Sequence, residues 1–335
     1  MNNVTIPEIA QMLLNTRRMI IITHASPDGD CIGSAYALCR ALPECRCFVV
    51  NDDTLSGRLA YITDGETDLS PARIPSDFRP DLILTVDTAT PELAGACGQL
   101  YAGRIDLRID HHESDHDDAR LRYVDPAMSS CGEIIYDIIT EMGRLDIASA
   151  APLYAAICAD TGCFRYPGVT PMTYRKVATL LETGIDFSDI ARHMVAYKSP
   201  SEVRAIRTAY ELLRLHRGGK VASILFTAQK KQELQLTDKD LSVLSSLPKE
   251  IEGVELSVVI RQTDTDPHRF KLSVRSEPHI AANRICAHFG GGGHHCAAGA
   301  AVIADTPEQA SETVLDTIFR YLDVEVLNDA PPRSK

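Results

Sequence analysis

The sequence contains no window of 18 apolar residues, and its start, Met1-Asn2-Asn3, has no basic stretch leading into an apolar run. The first absence speaks against a membrane-spanning helix and the second against a secretory leader, so a cytoplasmic protein with no membrane partner is expected. Among the 10 cysteines there is no C-x-x-C pair, and Cys45-x-Cys47 is tighter than the usual zinc spacing, so no structural zinc site is expected. Most cysteines, including Cys39, Cys158 and Cys286, lie inside apolar runs of a long chain, which reads as buried free thiols rather than a disulfide framework. No internal repeat is visible, and the one low-complexity piece is Gly290-Gly291-Gly292-Gly293. Positive charge is also short: 34 Lys and Arg face 46 Asp and Glu, for a net charge of −12. Such a chain grips the phosphates of a long duplex poorly. The deficit is uneven, because residues 219–300 hold ten basic against nine acidic side chains while residues 1–218 are strongly acidic. The acidic part suits a cation site, and the balanced part can still hold a short anionic ligand.

At 335 residues, 44% apolar and 24% charged, the chain is an ordinary globular sequence long enough for about two domains. Apolar β-rich runs at 19–23, 46–50, 82–86 and 107–109 alternate with helical patterns at 31–42 and 91–100, which predicts a parallel sheet with crossover helices. Ser130-Cys131-Gly132-Glu133 has the form of a capping box and opens a helix over 134–142. Further helices are expected over 147–158, 171–181 and 187–194. Residues 200–215, with Val203, Ile206, Tyr210 and Leu213 three or four apart, read as a connecting helix ended by Gly218-Gly219. Beyond it, strands over 221–227, 256–262 and 270–276 around a polar helix near 238–247 predict a second domain of α+β character. The expected fold class is thus α/β: an N-terminal parallel-sheet domain (1–195), a connecting segment (196–218), a smaller C-terminal α+β domain (219–328) and a frayed tail (329–335).

Chemistry-bearing residues concentrate where apolar runs end. His24-Ala25-Ser26-Pro27-Asp28-Gly29-Asp30 follows the first run, Asp87 the third and Asp110-His111-His112 the fourth, while Asp160-Thr161-Gly162 closes a helix. In open parallel sheets the carboxyl ends of the strands line one crevice, so these groups converge. Taken singly, each has a bland reading: a turn or helix cap for an Asp, a turn for Pro27-Asp28-Gly29, a surface pair for the histidines. The bland reading has to hold at all four places at once. Carboxylates that close together repel unless cations compensate them. Mixed Asp and His donors suit manganese, zinc or iron better than calcium. Two such ions about 3.5–4 Å apart clamp a phosphoryl group and acidify a water into a nucleophile, so a dinuclear phosphoesterase is expected. In the second domain, the tetraglycine between apolar 285–289 and the small residues 297–300 predicts a loop whose amides approach an anion closely, with Arg275 and His294 as further donors. His116, among Asp115, Asp117 and Asp118, reads as a solvated charged loop, and the single His193, His216, His268, His279 and His288 as surface or capping residues. Cys158 and Cys163, flanking Asp160, read as small packing residues.

His24 to Ser34, Val86-Asp87, Asp110-His111-His112 and Asp160-Thr161-Gly162 resemble, in order, the signature of the DHH phosphoesterase superfamily. Residues 290–294 with Ala297-Ala298-Gly299 resemble the glycine-rich signature of its associated DHHA1 domain. Together they span residues 24–300, and the two-domain build is most similar to the bacterial oligoribonuclease (nanoRNase) and 3′-phosphoadenosine-5′-phosphate (pAp) phosphatase group. The resemblance implies two divalent cations, most usually manganese: one on His24, Asp28 and Asp87, the other on Asp30, Asp87, His111 and Asp160. It implies a catalytic role for His112 with Asp28 and Asp110, His112 facing the scissile phosphate and Asp110 orienting a neighbouring histidine. Arg275, Ser276, Gly292, Gly293 and His294 would hold the far end of the substrate, in a cleft between the domains. Short RNA oligonucleotides and pAp are the implied substrates, and a homodimer is admitted. A cyclic or linear dinucleotide phosphodiesterase is the alternative. A pyrophosphatase or polyphosphatase would not need the glycine-rich loop, and a nucleotide-binding regulator would not need intact metal ligands.

Overall fold

A computed structural model describes residues 2–113, 116 and 118–328 of the chain. The tail expected at 329–335, and Asp115 and Asp117 of the charged loop, lie outside the described residues. The chain divides into two compact units, Met1–Tyr197 and Lys198–Lys335.

The first unit runs β1 (Asn2–Asn3), α1 (Ile6–Asn15), β2 (Arg18–Ile22), α2 (Gly29–Ala41), β3 (Arg46–Val50), α3 (Gly57–Ile62), β4 (Leu82–Val86), α4 (Gly95–Leu100), β5 (Leu107–Asp110) and β6 (Leu121–Val124). Four helices follow: α5 (Cys131–Glu141), α6 (Ile147–Asp160), α7 (Pro171–Glu182) and α8 (Phe187–Ala191). The strands are all parallel, in the order β1-β6-β5-β4-β2-β3. β2 and β4 are apolar almost throughout because both faces of the sheet are covered. Met19, Ile21, Leu82, Leu84 and Val86 pack into the cluster shared with α1, α2, α5 and α6. Ile20, Ile22 and Ile83 point the other way, onto Phe78, Cys97 and Tyr101. From β2 the chain goes to one side for β3 and to the other for β4, so the strand order reverses between β2 and β4. In such sheets ligands bind in the crevice off the carboxyl ends at that reversal.

Glycine sets the spacing of α2 and α6. A Cβ at Gly33 would stand 2.5 Å from the Pro152 carbonyl oxygen and 2.8 Å from Ala156 Cβ, and one at Gly29 2.5 Å from Ala159 Cβ. Gly29 therefore serves close helix approach, and is the first residue of α2 rather than part of a free turn.

Several expectations are corrected in detail. The helix expected over 91–100 is a 3-10 turn, Pro91–Ala94, followed by α4. Gly95 breaks it with a φ of 60°, and Asp52 accepts the amides of Ala96 at 2.5 Å and Cys97 at 3.0 Å. The helix expected over 187–194 is α8 continued by a π-helical turn, Arg192–Ala196. Ser130 caps α5 as expected, but the Glu133 side chain does not close the box; buried, it accepts hydrogen bonds from Ser129 Oγ and Thr173 Oγ1 instead. Cys39, read as a free thiol, is disulfide-bonded to Cys47, because α2 packs against β3 with the two Cα atoms 5.8 Å apart. Cys158 and Cys286 are free and buried.

The second unit runs α9 (Pro200–Leu212), β7 (Arg214–His216), β8 (Val221–Phe226), α10 (Ala228–Leu234), β9 (Leu256–Gln262), β10 (Arg269–Ser276), α11 (Ala282–Ala287), β11 (Gly292–His294), β12 (Ala297–Ile303) and α12 (Pro307–Asn328). Its sheet, ordered β11-β12-β10-β9-β8-β7, is antiparallel except for the β8–β9 pair. The helix expected over 200–215 stops at Leu212, since residues 214–216 pair with β8. Ala205 and Ala209 of that helix are buried with Ile224 and Phe226 of β8. The polar helix expected near 238–247 is absent: the α-helix lies earlier, as α10, and 242–245 and 247–250 are 3-10 turns. Ser242 and Ser245 donate their hydroxyls to backbone carbonyls there, and Pro248 removes an amide donor. The tetraglycine is not an open loop. Gly290 turns the chain at a φ of 69°, and Gly292 begins a strand paired with β12. Among the described residues no helix is long and apolar enough to cross a membrane.

Candidate active site

The crevice between the ends of β2 and β4 receives side chains from five places. His24 follows β2; its Nδ1 lies 2.9 Å from the Ala25 carbonyl oxygen, to which it donates, which turns Nε2 toward Asp28 Oδ1 at 3.7 Å and Asp87 Oδ2 at 3.9 Å. Asp28 is the N-cap of α2 and accepts the amides of Asp30 and Cys31 at 2.9 and 3.1 Å. Asp30, the second residue of α2, is buried and accepts the amides of Cys131 at 2.7 Å and Gly132 at 2.8 Å, so it also serves the amino terminus of α5. Asp87 follows β4 with a left-handed φ of 53°. His111 follows β5; its Nδ1 donates to the Met128 carbonyl at 3.2 Å, and its Nε2 faces Asp87 Oδ1 and Asp160 Oδ2, each at 3.5 Å, and Asp30 Oδ2 at 3.9 Å. Asp160 arrives as the last residue of α6.

All six expected metal ligands are thus brought together, in two sets that share Asp87: one oxygen of its carboxylate faces His24 and the other faces His111. The donor atoms of His24, Asp28, Cys31 and Asp87 lie within 4.8 Å of one another, and so do those of Asp30, His111 and Asp160. Asp87 Oδ1 is buried with no hydrogen-bond partner, a condition that costs free energy unless a cation meets it. With no cation present, burial and the neighbouring carboxylates push Asp30 and Asp87 well above the usual carboxylate range, and burial raises Asp160 to about 6. Imidazole nitrogens and carboxylate oxygens held this way fit divalent transition-metal ions.

Asp110 and His112 form a second layer. Asp110 Oδ1 accepts both the His112 amide at 3.1 Å and its Nδ1–H at 2.8 Å, while Oδ2 accepts from Arg108 Nη2 at 2.5 Å. Burial alone would raise the Asp110 carboxyl, but His112 and Arg108 outweigh it and hold it at about 2. Arg108, fully buried in β5, was not anticipated, although a charged residue inside an apolar strand run is a visible signal. Cys31, also unanticipated, is a buried thiol within the His24 set.

In the second unit, pairing register sets Arg275, Ala297 and His294 side by side on adjacent strands, sharing one face of the sheet with Gly292. Ser276 points to the opposite face, its hydroxyl donating to the Ile280 carbonyl at 2.6 Å. Gly293 has a φ of 133°, and a Cβ there would stand 2.7 Å from the Ala297 carbonyl.

Residues 18–160 match the DHH family, N-terminal domain, and residues 206–323 the DHHA1 domain. The bifunctional oligoribonuclease and PAP phosphatase NrnA of Thermus thermophilus is 28% identical over 316 residues, spanning 90% of this chain and 89% of that protein. The probable bifunctional oligoribonuclease and PAP phosphatase NrnA of Streptococcus mutans is 30% identical over 293 residues, spanning 84% and 88%. Among solved structures, an exopolyphosphatase-related protein from Bacteroides fragilis shares the fold with a TM-score of 0.86 at 24% identity, over 96% of this chain and 97% of that one.

Proposed function

The chain belongs to the DHH family and is a hydrolase of phosphate esters, and from that premise we propose that it works in the cytoplasm, trimming short oligoribonucleotides to mononucleotides and dephosphorylating pAp to AMP. The observation that carries the reading is Asp87, buried, with one carboxylate oxygen toward each histidine and one of the two, Oδ1, without a hydrogen bond. His24, Asp28 and Asp87 would hold one divalent cation, and Asp30, Asp87, His111 and Asp160 the second, with manganese suited to this mix of oxygen and nitrogen donors. Bound there, such a pair supplies charge neutralisation at the phosphoryl oxygens and a more acidic water.

The chain's own residues do the rest. Asp110 keeps the His112 proton on Nδ1 and fixes the ring's orientation toward the scissile phosphate, while Arg108 keeps Asp110 ionised. Asp28 and Asp30, tied to helix amides, are held still. Arg275, Gly292, Gly293 and His294 take the far end of the substrate, and Ser276 supports them as a positioning residue at the end of β10. The test is timed product analysis on labelled RNAs of two to five nucleotides, beside pAp, with manganese and with chelator. Mononucleotides and AMP are expected, both abolished by chelation. Hydrolysis of cyclic dinucleotides or pApA alone, or no phosphate release from bound pAp, would overturn the assignment in favour of a dinucleotide phosphodiesterase or a nucleotide-binding regulator.

A further inference from the structure

The two proposed ligand sets that share Asp87 are unequal. Asp30, Asp87, His111 and Asp160 would give four donors to the second cation, whereas His24, Asp28 and Asp87 would give three to the first. Cys31 stands where a fourth would be. It is the third residue of α2 and is fully buried. Successive helix residues diverge by about 100°, so Asp30 turns toward the amino terminus of α5 while Cys31 turns toward the His24 ring. Asp28 holds it twice, accepting its amide on Oδ1 at 3.1 Å and its thiol on the main-chain carbonyl at 3.6 Å. The sulfur and one donor atom each of His24, Asp28 and Asp87 lie within 4.8 Å of one another. Ligands about 2.0–2.3 Å from one zinc-sized ion are at most about twice that apart, close to the spread of these four atoms. Asp87 is an independent sign that an ion belongs here, because its carboxylate is buried with Oδ1 lacking a hydrogen bond. A cysteine that merely fills space needs no such company.

We propose that the Cys31 thiolate is the fourth ligand of the first cation, and that it makes this position prefer a softer divalent ion, of the zinc, cobalt or iron(II) kind, than the oxygen-rich second position takes. Thiolate sulfur selects such ions, whereas carboxylates suit manganese and magnesium. As the sulfur–metal bond forms, the thiol gives its proton to solvent. The proposal rests on the two-cation reading above and not on the identity of the substrate. Its test is spectroscopic: the full chain is titrated anaerobically with cobalt(II), beside Cys31→Ser, Cys31→Ala and, as a control, Cys286→Ser. A near-ultraviolet sulfur-to-cobalt charge-transfer band is expected in the wild-type chain and in Cys286→Ser, and in neither Cys31 variant. In competition with a coloured chelator, Cys31→Ser should weaken cadmium binding by at least the roughly 10–100-fold that a lost supporting residue costs a metal site, and manganese binding far less. Should Cys31→Ser fail to fold, Cys31→Ala decides by the same comparison. Cobalt bound without the band, a band that persists in Cys31→Ser, or equal losses of cadmium and manganese affinity would overturn the sulfur ligand and leave the two-cation reading standing. A chain that binds no cobalt at all would overturn both.

Discussion

Asp87 holds a left-handed backbone conformation, an uncommon one for a residue with a side chain, and its amide is tied to the Ile109 carbonyl at 2.9 Å. That geometry presents its carboxylate to both histidine sets at once. Asp87→Ala should lower kcat by about 10³-fold or more and reduce the manganese bound per chain; activity retained in excess manganese would refute the shared ligand. Asp110→Asn should keep the metals but lower kcat by about 10–100-fold, because the Nδ1 proton of His112 loses its ionised acceptor. A shift in the pH–rate profile would separate that role from a structural one. At this scale the sequence was informative wherever an acidic or imidazole group ended an apolar run. Arg108 and Cys31 escaped notice: Arg108 sits inside such a run rather than at its end, and Cys31 lies behind Asp30 at the start of a helix, although the partners of each, Asp110 for the one and His24 and Asp28 for the other, are near in sequence.

The elements carrying the site meet through missing side chains. Gly33→Ala would force a methyl into the Pro152 carbonyl, and overpacking of this kind typically costs 1–3 kcal/mol. Urea denaturation should register that loss, and manganese affinity should fall with it because Asp160 is carried on the displaced helix. Unchanged affinity would mean that Asp160 is not a ligand. The crossover strands and most helices of the first unit were readable from periodicity, since parallel strands buried on both faces are plainly apolar. What escaped was short or edge structure, β1, β6 and β7, and β12, whose Ala-Ala-Gly-Ala-Ala run has little strand propensity of its own and is held by β10. α12 had a usable signal, with Ala310, Val314 and Ile318 each four apart and fully buried.

For the whole molecule, a cation that binds the folded chain and not the unfolded one would stabilise it. Manganese at 100 times its Kd should stabilise the protein by about 2.7 kcal/mol per site, visible as a rise in Tm over chelated protein. In chelated protein Asp160, raised to about 6, binds its proton more tightly folded than unfolded, where a value of about 3.9 applies. Its contribution is therefore full below about pH 4 and lost as pH rises through 6, so chelated protein should melt lower at pH 7 than at pH 5. Manganese should reverse that trend, because its ligands must be ionised. A Tm of chelated protein that rises from pH 5 to pH 7 would contradict this.

The glycine contact between α2 and α6 also bears on the choice of ion. Asp28 and Asp30 open one helix, Asp160 closes the other, and the two helices approach closely at Gly29 and Gly33, so the spacing of these proposed ligands is tied to the helix contact. A mounting that cannot breathe discriminates by ionic radius. Turnover across magnesium, manganese, cadmium and calcium should trace a narrow peak, and an enlarged or loosened helix contact should broaden it.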